Sequence, residues 1–338
     1  MKLKYKDFAN TYSGLYKTAR FYPEVLRLKK NNLNFKKAQK LLMNRVSNST
    51  LYSWWLNKST PLPFKDFKSI KNEFSHQDIE NLATIIGHIL GDGGISKKKF
   101  LHYCNTELFL IDEFQKAMRN VFNAKAKVRK EESGIMRLCY GRKFSRVLIT
   151  LFGNFSGEED KKITPQIDKM PIWWKVKLLQ ALYNDDGSVP KTETYVSLKQ
   201  KDKNMILWTQ KTLREMDINS GLTKDGSNWL LRIAGYRNLL KFKEKINFSK
   251  GYRKQIQLDK IIERIKFPHW ETKNKILKLI KNGISKRKEI AKKLKMNEYV
   301  IYGHLHGWKR LYRKSTLGLV DLGIVKIKKI RKINLYYV

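Results

Sequence analysis

Acidic residues are scarce in this sequence: 30 Asp and Glu stand against 71 Lys and Arg in 338 residues, a formal net charge of +41 at pH 7. An excess of this size raises self-repulsion, and a polyanionic partner neutralises it. Aromatic residues make up 12% of the chain and hydrophobic residues 41%. This composition excludes a disordered basic tail, which is poor in both. We therefore expect folded domains that bind a nucleic acid.

Cysteine is nearly absent as well, with Cys104 and Cys139 alone. They show no CxxC spacing and no neighbouring histidine pair, which argues against a structural zinc site, and their number excludes a disulfide framework. No run approaches the 18 apolar residues of a membrane span, and residues 1–6 lack the apolar core of a signal peptide. We therefore expect a cytoplasmic protein with no membrane partner.

The patterns at the two ends of the chain predict small basic domains. In residues 1–75, helical spacing over 34–43, a tight turn and a second short helix over 48–57 predict an N-terminal helix-turn-helix-like domain; the alternative is an ordinary helical hairpin. Residues 268–338 show helical patterns over 275–281, 286–295 and 297–311, then β alternation. From residue 271 onward, 19 Lys and Arg face 4 Asp and Glu, and such density favours phosphate contact. We predict a C-terminal winged-helix DNA-binding domain.

Between these ends lies an internal repeat, which we divide into residues 76–160 and 161–267. It is marked by IIGHILGDG at 85–93 and LQALYNDDG at 179–187. After each motif the same order recurs: a strand pair, an amphipathic helix, a second strand pair and a further helix. The two halves differ in detail, as diverged duplicates do.

Each motif has the features of a helix that packs closely against another and then ends. Gly87 and Gly91 lie on one helix face, with Ala181 as their counterpart in the second motif, and such small residues let helix backbones approach. The closing residues Gly93 and Gly187 fit left-handed C-terminal caps. We therefore expect the two motif helices to pack side by side.

An aspartate precedes each closing glycine, at Asp92 and Asp186. The helix dipole disfavours a carboxylate at this end by about 0.3 kcal/mol or more. Two such carboxylates brought together repel each other unless cations lie between them. Their hard oxygen ligands suit Mg²⁺ or Mn²⁺, and two metal ions are a known means of cutting a phosphodiester. One Asp-Gly alone is more simply a turn, but two copies in a duplicated unit favour a metal site.

These motifs resemble those of LAGLIDADG homing endonucleases in their single-chain, two-motif form, over roughly residues 76–260. The resemblance implies an α+β fold of two pseudo-symmetric αββαββ repeats, whose motif helices meet at a pseudo-twofold axis and whose antiparallel sheets form a saddle on the DNA major groove. It implies a monomer that binds double-stranded DNA and cuts both strands at the centre of a long site. The family's metal-binding acids correspond to Asp92 and Asp186.

The resemblance also implies further catalytic residues. Asn105 and Gln200 end the first hairpins at matching positions, where the family often has a polar residue near the metal-bound waters. Arg137 and Arg232 lie on the last strands, where a basic residue often faces the scissile phosphate. We predict these four residues as catalytic residues beside the aspartates.

The sequence departs from the family pattern at three positions. His88 and Leu90 stand where Leu and an acid are common, and Asp185 stands where a small residue is usual. Asp185 is a competing ligand, but the position next to the closing glycine favours Asp186. We interpret His88 as a packed or interface histidine rather than a metal ligand.

Three functions fit these features. The first is a site-specific, Mg²⁺-dependent endodeoxyribonuclease of the homing type, free-standing and derived from an intron or intein. The second is a non-catalytic transcriptional regulator on the LAGLIDADG scaffold, and the third is an RNA maturase. The two retained aspartates favour the endonuclease, because the regulators that resemble this architecture lack the acidic pair.

Overall fold

A computed structural model describes residues 1–156, 161–264, 269–310, 313–316, 318–330 and 333–338. These residues form two compact units: residues 1–234 with 238–259, and residues 235–237 with 260–338. The predicted division into four segments stays a prediction, and its borders at 160 and 267 lie outside the described residues.

The first unit begins with short helices. They are α1 (Tyr5–Ala9), a 3₁₀ helix (Gly14–Phe21), α2 (Tyr22–Lys30), α3 (Phe35–Leu42), α4 (Asn48–Trp55) and α5 (Leu62–Lys68). Side-chain caps start the two helices that the sequence pattern predicts: Asn34 accepts from the Lys37 amide, and Ser47 accepts from the Thr50 amide. A small core forms around Trp54, which is 5% exposed. The helix-turn-helix assignment itself stays a prediction.

The first repeat follows the predicted order of elements. Its elements are α6 (His76–Leu90), β1 (Gly93–Ile95), β2 (Leu101–Asn105), α7 (Leu108–Phe122), β3 (Lys127–Lys130), β4 (Met136–Tyr140) and α8 (Arg142–Phe152). The strands form an antiparallel sheet in the order β1-β2-β4-β3. Helix α6 begins with a capping box, in which Ser75 and Asp78 each accept the other's backbone N–H.

The second repeat has the same architecture, after a single turn of helix, α9 (Pro165–Asp168). Its elements are α10 (Ile172–Asp186), β5 (Gly187–Ser188), β6 (Tyr195–Gln200), α11 (Lys203–Glu215), β7 (Gly221–Asp225), β8 (Asn228–Ala234) and α12 (Tyr236–Lys245). Its antiparallel sheet has the equivalent order, β5-β6-β8-β7. The α+β fold with antiparallel sheets is therefore confirmed, while the twofold relation between the repeats stays a prediction.

The motif helices α6 and α10 pack side by side, as their small residues predict. A Cβ on Gly87 would lie 2.4 Å from the carbonyl oxygen of Leu178 and 2.7 Å from the Cβ of Ala181. Only glycine at this position allows so close an approach of the two backbones. The indole N–H of Trp174 also bonds to the carbonyl of Ile79 at 2.9 Å, which links the starts of the two helices.

The prediction that Gly93 and Gly187 form left-handed caps is wrong. Gly187 has φ −71°, and neither glycine has a positive φ. Lack of space is the reason for glycine here: a Cβ on Gly93 would lie 2.8 Å from the Cα of Ile89, and one on Gly187 would lie 2.3 Å from the carbonyl oxygen of Tyr183. Each glycine lets the chain pass directly from the motif helix into the first strand.

The second unit includes only the last part of α13 (Arg253–Arg264), since the boundary between the two units falls after residue 259. Its other elements are α14 (His269–Lys281), α15 (Arg287–Leu294), α16 (Glu298–His306) and the strands β9 (Trp308–Arg310), β10 (Arg313–Thr316), β11 (Lys326–Ile330) and β12 (Ile333–Tyr337). Helix α16 is shorter than predicted because Gly307, with φ 79°, ends it. An apolar core around Ile301 joins the three helices to the hairpin β11–β12. The winged-helix assignment stays a prediction.

None of the helices in the described ranges is both long and apolar enough to cross a lipid bilayer.

Candidate active site

The two motif aspartates stand where adjacent helices end. Asp186 is the last residue of α10, and Asp92 lies two residues beyond α6, immediately before β1. The Asn105 side-chain amide donates a hydrogen bond to Asp92 Oδ2 at 2.8 Å, and the Gln200 amide donates to Asp186 Oδ2. Asn105 and Gln200 are the last residues of β2 and β6. The structure thus brings these predicted residues together in two equivalent pairs.

The surroundings of the aspartates disfavour their ionised forms. Burial, followed by repulsion from Asp92 and Asp185, raises the pKa of Asp186 to about 7. The side chain of Asp92 reaches the surface, yet the protein atoms around it displace enough water that desolvation, together with Asp185, raises the pKa of Asp92 to about 6. A bound cation would offset this repulsion.

Two half-buried lysines also lie at the helix ends, and the sequence patterns did not reveal them. Lys161, beyond α8, donates to the carbonyl of Gly91 at the end of α6. Lys254, beyond α12, donates to the carbonyls of Asn184 and Asp185 at 2.6 and 2.9 Å. Burial lowers the pKa of Lys161, and burial lowers the pKa of Lys254 to about 8. Lys161 and Lys254 thus each place one ammonium at the carbonyl end of a motif helix, where the helix dipole favours positive charge.

Asp185 faces away from this pair, into the helix interface. Both of its oxygens lie 3.1 Å from His88 Nδ1, and Tyr103 donates its hydroxyl to Oδ1 at 2.8 Å. The side chains of Asp185 and His88 are fully buried. Two of the three departures from the family pattern, His88 and Asp185, are therefore partners of each other, and Asp185 already has several hydrogen-bond donors.

The other ring nitrogen of His88 contacts a carboxylate that the sequence patterns also did not reveal. His88 Nε2 lies 3.2 Å from Glu113 Oε2 on α7, which also accepts from the Asn184 amide at 3.0 Å. Burial by itself lowers the pKa of His88, but Asp185 and Glu113 outweigh it and raise the pKa to about 10. The imidazole is therefore a charged interface group between two carboxylates.

The two predicted arginines lie apart from the aspartates. Arg137 on β4 binds Glu131 Oε1 through Nε and Nη2, at 2.9 and 2.8 Å. Arg232 on β8 lies over the ring of Tyr195, 5.2 Å from its centroid. Within the described residues, neither arginine has a hydrogen bond to Asp92 or Asp186. The predicted role of these two residues at the scissile phosphate stays a prediction.

Each arginine alternates with buried residues along its strand, and therefore lies on the face of the sheet opposite to them. In the first sheet, the face opposite Tyr103 and Leu138 carries residues that are paired or adjacent across β2, β4 and β3: His102, Cys104, Arg137, Cys139, Lys127 and Arg129. The corresponding face of the second sheet carries Tyr195, Ser197, Lys199, Arg232, Leu230 and Thr223. The first face carries three cations, of which Arg137 is paired with Glu131, and the second carries two, of which Lys199 is paired with Asp225 at 3.0 Å, so the first face is more cationic.

The donor set at the helix ends restricts the kind of metal ion that fits. Across the part of the chain that the structure describes, no three or more His, Cys, Asp or Glu side chains are grouped as a metal site. A closed zinc site needs four such ligands, whereas Mg²⁺ binds through one or two carboxylates together with water and substrate phosphates. Asp92 and Asp186 therefore fit Mg²⁺ or Mn²⁺ and do not fit a closed zinc site.

Comparisons with solved structures give several similarities of low identity. Variants of the homing endonuclease I-DmoI share 15% identity at a TM-score of 0.41, covering 50% of this chain and 96% of that chain. I-DmoI in complex with DNA and Ca shares 15% identity at a TM-score of 0.42, and the similarity covers 55% of this chain and 100% of that chain. Full-length DUF199/WhiA from Thermatoga maritima shares 13% identity at a TM-score of 0.40, and the similarity covers 69% of this chain and 90% of that chain. At these values the similarities assign neither an activity nor a partner to this chain.

A family comparison covers the second repeat. No curated protein matches the sequence, but residues 173–247 match the model of the LAGLIDADG-like domain. This range begins in α10, contains Asp186 and Gln200, and ends just after α12. The similarity to this family of domains therefore covers the second repeat, residues 173–247.

Proposed function

We propose that this protein is a site-specific endonuclease that hydrolyses phosphodiester bonds of double-stranded DNA with Mg²⁺ or Mn²⁺. One observation carries the proposal: Asp92 and Asp186 stand at the ends of two packed helices, each bound by an amide side chain of its own repeat. A LAGLIDADG family member without nuclease activity has no need of this paired arrangement, which desolvation and mutual repulsion make unfavourable.

Asp92 and Asp186 would hold the metal ions. Bound there, a divalent ion supplies Lewis-acid activation of the phosphodiester and of the attacking water. Asn105 and Gln200 each fix the orientation of one carboxylate, which matters because Mg²⁺ demands near-ideal octahedral geometry. The other carboxylate oxygens are left to face the substrate.

Lys161 and Lys254 would supply positive charge beside the reacting phosphate. Fixed cations in a site with little water stabilise the negative charge that develops on a phosphate during hydrolysis. Lys254, with a pKa of about 8, is also suited to exchange a proton near neutral pH. Both ammonium groups are already positioned by backbone carbonyls, so the site needs little reorganisation.

The cationic sheet faces would bind the DNA around the cut. A net charge of +41 supports strong phosphate contact. We propose that the chain acts as a monomer whose two repeats face the two halves of the site. The predicted N-terminal helix-turn-helix and C-terminal winged helix would lengthen the footprint.

The test is cleavage of a randomised duplex-DNA library in Mg²⁺ by the wild type and by Asp92→Asn and Asp186→Asn. A chelator provides the metal-free control, and Asp217→Asn is the matched substitution, because Asp217 is an exposed aspartate bound to Lys241 on the surface. We expect discrete cuts by the wild type and Asp217→Asn, and none by the other two variants or in chelator, while all four proteins bind DNA. Selective retention of sequences without any cutting contradicts the proposal and favours the non-catalytic regulator.

A further inference from the structure

A buried network of charged and polar side chains joins the two repeats behind the aspartates. His88 on α6 lies between Asp185 on α10 and Glu113 on α7, at 3.1 and 3.2 Å. Glu113 is bound in turn by Asn184 and Ser249. A fully buried ion pair adds little net stability over an apolar pair of similar volume, because desolvation offsets the attraction. Stability alone therefore does not account for this network, and its contacts indicate a further role.

The network reaches one of the two motif aspartates. Tyr103 donates its hydroxyl to Asp185 and accepts from the Asn105 amide at 3.2 Å, and the same amide donates to Asp92 at 2.8 Å. The backbone N–H of Asp92 also donates to Asp185 Oδ2 at 3.3 Å. A continuous chain of hydrogen bonds thus runs from His88 to the carboxylate and the backbone of Asp92.

The other aspartate has no equivalent of this chain. Gly187 pairs with Leu198 in the second sheet as Gly93 pairs with Tyr103 in the first, so an apolar side chain stands where the first repeat has the phenol. Gly91 stands where the second repeat has Asp185, two residues before the closing glycine. The amide of Gln200 therefore holds Asp186 without the link that Tyr103 provides to Asn105.

We propose that His88 and Asp185 are positioning residues that act through Tyr103 and Asn105 to orient Asp92, so that the two DNA strands depend unequally on the network. The proposal builds on the proposed endonuclease function. Because the two strands of a duplex run antiparallel about a twofold axis, each strand faces a different repeat. The hydrogen-bond link leads to Asp92 and not to Asp186, so loss of the Tyr103 hydroxyl disturbs the orientation of Asp92 more and slows the cut of one strand more than that of the other.

The pKa shifts of the network agree with a fixed charge arrangement. Burial raises the pKa of Glu113, but the hydrogen bond and charge of His88, together with hydrogen bonds from Ser249 and Asn184, outweigh it and lower that pKa. The same carboxylate helps to raise the pKa of His88. The imidazolium donates from both nitrogens, which fixes the ring and with it the orientation of Asp185.

Tyr103→Phe is the most direct test, because it removes the hydroxyl and keeps the ring stacked on Phe114. The matched control is Tyr183→Phe: Tyr183 on α10 is fully buried, and its hydroxyl has no hydrogen-bond partner among the described residues. On a duplex labelled differently on each strand, we expect Tyr103→Phe to slow one strand roughly tenfold to a hundredfold and to accumulate nicked DNA. Tyr183→Phe should leave the ratio of the two strand rates unchanged.

Asp185→Ser separates positioning from folding. His88→Leu leaves the carboxylates of Asp185 and Glu113 without the imidazolium between them, whereas Asp185→Ser leaves His88 paired with Glu113. We expect Asp185→Ser to melt above His88→Leu and still to cut the two strands unequally. Equal slowing of both strands in Tyr103→Phe and in Asp185→Ser would overturn the positioning role.

A readout without cleavage keeps this result independent of the nuclease proposal. In the metal-free protein, the side-chain amide NMR signals of Asn105 should shift in Tyr103→Phe, while those of Gln200 stay in place. Unchanged Asn105 signals, or equal shifts of both residues, overturn the positioning role. A wild type that does not cut any DNA, with the Asn105 shift present, refutes the nuclease function but leaves the network as the device that orients Asp92.

Discussion

Gly91 lies directly against Asp185 where the two motif helices end: a Cβ on Gly91 would come within 2.5 Å of Asp185 Oδ2. The carboxylate that binds His88 therefore occupies space that any larger residue at position 91 would take. One turn earlier, Gly87 is equally close to the backbone of the second helix. The interface thus depends on glycine on one helix and on a buried acid on the other.

Gly87→Ala and Gly91→Ala should therefore destabilise the protein. Alanine by itself favours a helix over glycine by about 1 kcal/mol, but overpacking costs about 1–3 kcal/mol, and at position 87 the opposing atom is a backbone carbonyl that has little freedom to move. Urea unfolding measures the difference. Gly221→Ala is the control, since a Cβ there meets nothing within 4 Å; a Gly87→Ala variant as stable as this control would argue against the close packing.

The helices, strands and paired site residues were predictable from local patterns. Apolar spacing of 3.6 residues and alternation of two residues give the order of elements, and the duplicated motifs place Asp92 with Asn105 and Asp186 with Gln200. Gly93 shows the limit of this reasoning. Glycine follows a helix either because the backbone has a positive φ there or because a side chain has no space, and the sequence does not distinguish the two reasons.

Residues that reach the site from elsewhere were not predictable. Lys161, Lys254 and Glu113 carry no motif, and the two lysines are members of a set of 71 Lys and Arg. Their role depends on which backbone carbonyl or side chain the folded chain brings near them, which is tertiary information. His88 and Asp185 were visible as departures from the family pattern, but their pairing was not.

The metal-free protein should lose stability as the pH rises from about 4 to about 7. In the folded state Asp186 keeps its proton up to its pKa of about 7, whereas an unfolded aspartate releases it near pH ~3.9. The folded state therefore binds more protons in this window, and the free energy of unfolding falls as the pH rises. Asp186→Asn should reduce the fall in the free energy of unfolding between pH 4 and pH 7 by on the order of 1 kcal/mol, after allowance for solvent screening.

Thermal melts in chelator across this pH range measure the effect. Asp217→Asn serves as the control, because the hydrogen bond and charge of Lys241 lower the pKa of that exposed aspartate, so that its titration lies below this pH range. The opposite result would be a wild-type melting temperature that rises steadily from pH 4 to pH 7 with the same slope as that of Asp186→Asn. It would show that Asp92 and Asp186 are not held in a repulsive arrangement.

Added Mg²⁺ should raise the melting temperature of the wild type, and more at pH 7.5 than at pH 5. Protonated carboxylates do not bind metal ions, and a ligand bound by the folded state alone stabilises it by mass action. Asp92→Asn and Asp186→Asn should show little of this rise, whereas Asp217→Asn should match the wild type. The same shift in all four proteins would indicate a general salt effect instead.

The hairpin β11–β12 should contribute phosphate contacts. Lys326, Lys328 and Lys329 on β11 are exposed, and each phosphate contact adds about 0.9 to the slope of log affinity against log salt. We expect the triple change of these lysines to Gln to weaken DNA binding and to lower the slope by about 2 to 3. Lys241→Gln, whose lysine already binds Asp217, is the control. An unchanged slope in the triple variant places the hairpin away from the DNA.

Arg129 and Arg137 should read guanine in one half of the DNA site. They are directly opposite each other across β3 and β4, an arrangement of like charges that is unfavourable in a sheet without a partner. Glu131 occupies Nε and Nη2 of Arg137, so Arg129 has the freer guanidinium. A guanidinium binds the O6 and N7 acceptors of guanine in the major groove, and such a pair discriminates by about 1–3 kcal/mol.

Selection of cleavable sites from a randomised library measures this preference. Arg129→Ala should relax the requirement for guanine at one or two positions in one half of the site and leave the other half unchanged. Lys224→Ala is the control: Lys224 is exposed on β7 and pairs with Trp229, on the face of the second sheet away from Thr223 and Arg232. A loss of affinity that is uniform over the whole site in Arg129→Ala would assign this arginine to the phosphate backbone, because phosphate contacts carry no sequence information.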